Sequence, residues 1–373
     1  MSALWGAVPH QCQPETGVQP VKAQVFYEPE KMEYTDAPDP QCGPADVVVR
    51  VEACGICGSD VAYYFGMSSL ETPDGKGPCI LGHEFTGEVV EVGEIPAQLG
   101  LFAPGDRVVL DPVQYCNACE ICKKGQPNLC ETKTVLGVST DGGFAELCRS
   151  SYTGVHKLPD NVSYESGALT EPLACATYAI GKLGVEPGDF VVVYGPGAIG
   201  LMMVQLAKAR GAGTVVLVGT RDYRLDAGAT LGADHVLSTE QGSPHYCADV
   251  RGFVEEQTGG KMADRAITAT SALPAMEEAL AVTGRRAIIV YFGLPGDQDR
   301  LAVPVLDQIL WDKQIRFSWL APNTWPAALR ALATGLVNVE PLVTHTYDLE
   351  DLVAALHSVR EREGDPIKPV VKP

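Results

Sequence analysis

No stretch of about 18 or more apolar residues occurs in this chain, which excludes a membrane-spanning helix. The opening Met1-Ser2-Ala3-Leu4-Trp5 lacks the basic start and apolar run of a signal peptide, so a cytoplasmic location is expected. Positive charge is scarce: 28 Lys and Arg stand against 47 Asp and Glu, a net charge of −19, and such a surface repels nucleic acid and anionic membranes alike. No internal repeat or low-complexity segment appears, and 46% hydrophobic with 20% charged residues suits a soluble globular protein with a large core. At roughly 100 to 200 residues per domain, a chain of 373 residues is expected to hold two domains. Twelve cysteines are present, four of them packed between Cys116 and Cys130; without a secretory signal, that clustering favours metal over disulfides.

Residues 1–20 carry Pro9, Pro14 and Pro20 with little periodicity and read as an extended leader. From Ala23 to about Thr170, short β-rich runs such as Asp46-Val47-Val48-Val49-Arg50-Val51 and Gly87-Glu88-Val89-Val90-Glu91-Val92 are broken by Gly and Pro, the texture of a mostly β domain. Beyond Phe190 the pattern changes to apolar strands alternating with amphipathic helices, which implies a doubly wound parallel sheet. The domains are therefore expected at 173–311 for the parallel sheet, and at 21–172 with 312–373 for the β-rich part. The closing run Lys368-Pro369-Val370-Val371 is a strand that needs a sheet to join, and the first domain is the expected host. The loop Ser68 to Gly77 is visible as a loop but cannot be placed.

Gly195-Pro196-Gly197-Ala198-Ile199-Gly200 follows the apolar strand Phe190-Val191-Val192-Val193-Tyr194 directly and opens a helix. The glycines permit a tight turn and close backbone approach, while the helix N-terminus offers free N–H groups to a pyrophosphate. A bare GxGxxG is weak; here strand, helix and the second strand ending at Val218 form one βαβ unit. Where an acid would hold the adenosine ribose of NAD, this chain has Gly219, then Thr220 and Arg221. Loss of the acid and the presence of those donors favour NADP(H) slightly over NAD(H). The competing reading gives Asp222 the ribose and leaves Arg221 in solvent.

Cys116, Cys119, Cys122 and Cys130 form C-x2-C-x2-C-x7-C, enough thiolates to close a tetrahedral Zn²⁺ site and leave no position for substrate, so a structural zinc is expected there, with two disulfides or an iron–sulfur cluster as the alternatives. A second constellation is dispersed: Cys57, His83-Glu84, and Glu171 in Thr170-Glu171-Pro172-Leu173. Beside a dinucleotide fold, such mixed S, N and O donors make an open zinc site with room for water or substrate. Cys54 with Cys57 could be a redox pair, but the Gly58-Ser59-Asp60 that follows favours zinc. His156 and His345 read as structural, Leu201-Met202-Met203 as helix core, and Cys12, Cys42, Cys54, Cys79, Cys148 and Cys247 as ordinary thiols.

Together, Gly55-Ile56-Cys57-Gly58-Ser59-Asp60, Gly82-His83-Glu84, the four-cysteine lobe, Glu171-Pro172-Leu173 and the dinucleotide turn resemble the zinc-dependent medium-chain dehydrogenase/reductase family over about residues 21–373. Asn323-Thr324-Trp325-Pro326 and the run Val337 to His345 are similar to its sorbitol or polyol dehydrogenase branch. The resemblance implies a GroES-like β-rich catalytic domain joined to a Rossmann domain, and a homodimer or homotetramer. It makes Cys57, His83 and Glu84 ligands of the catalytic zinc, with Glu171 reaching it directly or through water and Cys175 as a rival. Ser59 would bond the reacting hydroxyl and begin proton removal, Tyr63 would border the substrate, and Ile199, Arg224, Phe292, Gly293 and Leu294 would touch the cofactor.

Two departures matter. Ala62 stands where the family often carries a proton-relaying His, and Leu320 and Ala321 replace an Arg and a Tyr, making that wall smaller and less polar. The expected activity is reversible oxidation of a secondary alcohol, polyol, sugar or cyclitol-like, to a ketone by hydride transfer to NAD(P)⁺. Threonine or amino-alcohol dehydrogenation is the rival within enzymes. A catalytically inactive nucleotide-sensing protein on the same fold is the rival outside them.

Overall fold

The computed structural model describes residues 20–68 and 78–373. The expected leader, except Pro20, and the loop Ser68 to Gly77, except Ser68, lie outside the described residues. The chain divides into two compact units, one reaching Glu171 and resuming at Leu342–Pro373, the other Pro172–Pro341.

In the first unit, β1 (Val21–Glu28), β2 (Lys31–Ala37), β3 (Asp46–Gly55), β4 (Cys79–Ile80), β5 (Glu84–Val92), β6 (Arg107–Leu110), β7 (Val113–Gln114), β8 (Thr134–Val135), β9 (Leu147–Ser151) and β10 (Val155–Lys157) follow one another with few helices between them. A small sheet has the order β2-β1-β4, and β7 pairs with β8. The larger sheet is built on β3, whose Val47, Val48, Val49 and Val51 are buried, as β-branched side chains on a doubly covered strand should be. β5 and β9 pair antiparallel with it.

The second unit is a six-stranded, wholly parallel sheet of β11 (Phe190–Tyr194), β12 (Thr214–Gly219), β13 (His235–Ser238), β14 (Ala263–Thr268), β15 (Thr283–Tyr291) and β16 (Gln314–Phe317), in the order β13-β12-β11-β14-β15-β16. Helices such as Ala198–Ala209 and Leu273–Ala281 connect the strands. Every residue of β11 is buried, the mark of a central parallel strand. The strand order reverses between β11 and β14, and ligands of such sheets bind at the carboxyl ends beside that reversal.

The chain returns to the first unit as β17 (Thr346–Asp348) and β18 (Val370–Lys372), and β18 pairs with β3, giving the closing strand its sheet. The return falls at Leu342 rather than the expected 312. β16 is held in the parallel sheet by β15, Thr324 Oγ1 donates to the Ala174 carbonyl at 2.8 Å, and Gln205 bonds both backbone groups of Asn338 at 3.0 and 2.7 Å. Those ties keep residues 312–341 with the second unit. Among the described residues, no helix is long and apolar enough to cross a membrane.

Candidate active site and metal centres

Three turns of the first unit carry one donor set. Cys57 caps the helix Gly58–Tyr64 just past the end of β3, and its own N–H donates to Asp60 Oδ2 at 2.9 Å, so the helix start is fixed by a buried carboxylate. His83 follows Gly82, whose φ of +90° and contact with Cys54 Sγ, 2.9 Å from where a Cβ would stand, exclude a side chain. Glu84 opens β5 opposite Gly55 of β3. The outcome is that one ligand atom each from Cys57, His83 and Glu84 lies within 4.8 Å of the others. Glu171 is buried but stands outside this set; its charge acts on Asp111 and Lys368.

The surroundings suit a cation. His83 Nδ1 lies 3.5 Å from Asp60 Oδ1, and both atoms are buried with no hydrogen bond among the described residues. Burial opposes a charge on His83, yet Asp60 and Cys57 outweigh it and hold the imidazole well above its ordinary value. The same negative groups would attract a metal ion, which must displace that proton to bind the imidazole. Ser59 is half-buried in the first turn of the same helix as Asp60, and Tyr63 is 5% exposed one turn on. Burial pushes the Tyr63 phenol up to about 12, so it is a neutral donor at ordinary pH. His83 and Asp60 act on that phenol, which puts it beside the cluster. Ala62 occupies the relay position and is half-buried.

The second set is Cys116, Cys119, Cys122 and Cys130, again within 4.8 Å of one another. Sulfur–sulfur distances of 3.5 Å for Cys116–Cys130 and 4.0 Å for Cys116–Cys122 match a tetrahedron with Zn–S of about 2.3 Å, whose edges are about 3.8 Å. Backbone N–H groups of Ala118 and Cys119 point at Cys116 Sγ from 3.4 and 3.3 Å and bring its thiol down to about 6, ready to ligate as thiolate. Neither His156 nor His345 belongs to a donor set among the described residues.

In the second unit the dinucleotide turn has the expected form. Gly195 takes φ +97°, and a Cβ on Gly200 would lie 1.9 Å from the Gly195 carbonyl oxygen, so the strand and helix can approach only as glycines. Gly197 caps the helix Ala198–Ala209, has open space where a side chain would go, and no acidic residue occupies the first turn. That is the cradle a pyrophosphate needs. Ile199 is half-buried on the same turn, and Gly219 ends β12 against the Pro196 ring. Thr220 is exposed, Arg221 and Arg224 are half-buried at the start of the next helix, and Asp222 accepts from Ser243 Oγ at 2.5 Å. Phe292 and Gly293 bond the Thr268 carbonyl at 3.1 and 3.2 Å, at the carboxyl ends of β14 and β15, and Leu294 beside them is 52% exposed. Sequence reasoning missed Lys368 and Asp111, both buried; the only signal was a lone charge within an otherwise apolar run.

An open S,N,O donor set, a closed thiolate set and a dinucleotide cradle define a metal-dependent oxidoreductase. Residues 43–160 match the alcohol dehydrogenase GroES-like domain, and residues 198–334 match the zinc-binding dehydrogenase domain. The chain is 33% identical to a sorbitol dehydrogenase of Halalkalibacterium halodurans over 344 residues, covering 91% of this chain and 94% of the relative. A zinc-binding dehydrogenase from Sinorhizobium meliloti, bound to NADP, superposes with a TM-score of 0.86 at 26% identity over 95% of this chain and 99% of that one. The 2R,3R-butanediol dehydrogenase of Bacillus subtilis does so at 0.85 and 29%, over 95% and 99%. The chain belongs to the zinc-dependent medium-chain dehydrogenases, in their polyol dehydrogenase branch. It is a GroES-like and Rossmann enzyme that uses zinc and a nicotinamide cofactor.

Proposed function

We propose that the protein reversibly oxidises the secondary alcohol of a polyol, sugar or cyclitol to the ketone, passing hydride to NADP⁺ in preference to NAD⁺ and releasing the hydroxyl proton. The observation that carries this reading is the convergence of Cys57, His83 and Glu84 apart from the saturated four-cysteine set. Cys57, His83 and Glu84 would hold one zinc, with Glu171 reaching it directly or through water, and Cys116, Cys119, Cys122 and Cys130 would hold the other. When bound, zinc supplies Lewis acidity that makes an alcohol proton removable near neutral pH, and the nicotinamide supplies the hydride acceptor.

The chain's own residues do the rest. Asp60 fixes Cys57 through its N–H and faces His83, keeping two ligands in place. Ser59 would accept the hydroxyl proton and pass its own on to water, because Ala62 cannot relay it. Tyr63 borders the substrate as a neutral phenol. The Gly195 to Gly200 turn binds the pyrophosphate, and Ile199, Arg224, Phe292, Gly293 and Leu294 line the nucleotide. Thr220 and Arg221 meet the 2′-phosphate beside Gly219. The rival assignment of the ribose to Asp222 is disfavoured by its bond to Ser243. The clustered thiols suit the reducing cytoplasm.

A homodimer or homotetramer is part of the same reading. The helix Val305–Leu310 exposes Val305, Leu306, Ile309 and Leu310 at 61 to 70%, next in sequence to the edge strand β16 with Phe317 at 66%, and contiguous exposed apolar side chains mark an interface. Light scattering on the purified chain reads the assembly directly.

Initial rates of nicotinamide reduction with polyols, cyclitols, sugars and β-hydroxy amino acids, each with NADP⁺ and NAD⁺, test the activity. A polyol or cyclitol rate that is higher with NADP⁺ is expected. Turnover confined to the amino alcohols, or a preference for NAD⁺, would refute the corresponding half.

A further inference from the structure

Residues 239–249, between β13 and the helix Val250–Gln257, form a loop that leaves and rejoins the sheet at one point. Thr239 donates its N–H to the Gly219 carbonyl at 3.1 Å, which ties the start of the loop to the end of β12. Ser238 closes the neck: its N–H donates to the His245 carbonyl and its carbonyl accepts from the Cys247 N–H, each at 2.8 Å. Ser238 is itself fully buried and pairs with Gly219 in register. The end of the second strand of a dinucleotide fold is where the adenosine ribose lies, so this loop is fixed at the rim of the ribose position.

Two side chains of the loop take two carboxylates of the helix Asp222–Thr230. Ser243 Oγ accepts from the His245 N–H at 3.0 Å and donates to Asp222 Oδ1 at 2.5 Å, so the hydroxyl is oriented by the loop's own backbone. His245 Nε2 lies 2.8 Å from Asp226 Oδ1. Asp222 and Asp226 stand four residues apart and share one face of the helix. Asp222 opens that helix, directly after Arg221 and three positions past Gly219. An ionised carboxylate only accepts hydrogen bonds. Left free, Asp222 would accept from the ribose hydroxyls of NAD(H) and repel the 2′-phosphate of NADP(H); bonded to Ser243, it is turned to the loop instead.

Resting on the assignment of the 2′-phosphate to Thr220 and Arg221, we propose that Ser243 is a positioning residue for coenzyme choice, which holds Asp222 on the loop and so denies that carboxylate to the adenosine ribose. The His245–Asp226 contact latches the same loop to the helix one turn further on. A bond to a charged acceptor is about twice as strong as one between neutral groups, which suits a hydroxyl to this task.

The test is the ratio of NADPH to NADH affinity, measured by fluorescence titration of the full chain. Ser243→Ala is expected to lower that ratio about tenfold, the worth of one hydrogen bond to a charged group, with NADPH binding weaker and NADH binding tighter. Ser243→Thr keeps the hydroxyl and should keep the native ratio. Adding Asp222→Asn to Ser243→Ala should bring the ratio back towards native, because the released side chain then carries no charge. His245→Leu unlatches the loop and should shift the ratio in the same direction as Ser243→Ala; the opposite shift would refute the latch. A loop that only supports the fold would weaken both coenzymes alike and gain nothing from Asp222→Asn. An unchanged ratio in Ser243→Ala, an equal loss for both coenzymes, or a shift that Asp222→Asn does not reverse would therefore overturn the proposal. A native chain that binds NADH the more tightly would instead sink the NADP(H) reading itself, and the proposal with it.

Discussion

Gly219→Asp is expected to turn coenzyme choice towards NAD(H). Gly219 ends β12 against the glycine-rich turn, and a Cβ there would stand 2.4 Å from both Cδ and Cγ of Pro196, so any side chain displaces the turn. Gly219→Ala isolates that steric effect: the turn serves the pyrophosphate of both coenzymes, so both should weaken by the same factor. Aspartate adds a unit of negative charge. At about 6 Å from one phosphate charge, and at an effective dielectric constant of about 20, Coulomb's law gives about 3 kcal/mol, or about a hundredfold against NADP(H). Position 219 is half-buried, so added salt should reduce but not erase the contrast. Fluorescence titration of NADPH and NADH on the native chain, Gly219→Ala and Gly219→Asp, at low and high salt, measures both factors. If Gly219→Asp kept the native ratio of the two affinities, or if Gly219→Ala alone changed it, the charge argument would be refuted.

Cys116→Ser should cost the chain the zinc of the four-cysteine lobe and lower its melting temperature, with metal content and calorimetry as the readouts; retention of that zinc would mean three thiolates suffice. Asp111 is 5% exposed, and burial, opposed by the Val113 N–H, pushes its carboxyl from 3.8 up to about 8. The folded chain therefore holds a proton there that the unfolded chain has lost, so stability falls as pH rises between those two values. Asp111→Asn should flatten the decline in melting temperature between about pH 5 and about pH 8, and an unchanged slope would assign the decline elsewhere. Asp60→Asn keeps the shape of the side chain but removes the charge facing His83, and should weaken metal binding at the Cys57 site by about tenfold or more in chelator competition.

What could be read before the fold was known is what is written in consecutive residues. The four cysteines and the turn Gly195 to Gly200 carry their geometry in their spacing, because a short loop or one βαβ unit leaves little else to decide. The alternation of strands and helices beyond Phe190 likewise announces a parallel sheet. Cys57, His83 and Glu84 are weak signals one by one and made a case only in combination with the dinucleotide turn, since it is the register of β3 against β5 that brings them together. Lys368 escaped altogether: it meets Glu84 across 284 residues of chain, and nothing local to Ile367-Lys368-Pro369 says that the ammonium is buried. The return of the compact first unit at Leu342 differs from the expected 312 for the same reason. Residues 312–341 are tied to the second unit by one edge strand and by side chains such as Gln205 and Thr324, whose partners lie more than a hundred positions away.

The central claim is that turnover depends on a metal held by Cys57, His83 and Glu84, separate from the metal of the four-cysteine lobe. Metal content by mass spectrometry, measured with the polyol-dependent rate and NADPH binding on the native chain and on Cys57→Ser, tests it most directly. The account predicts two zinc ions per native chain; Cys57→Ser should keep one, bind NADPH as before and show no turnover. A Cys57→Ser chain that kept both metals, or that still oxidised the polyol, would contradict it.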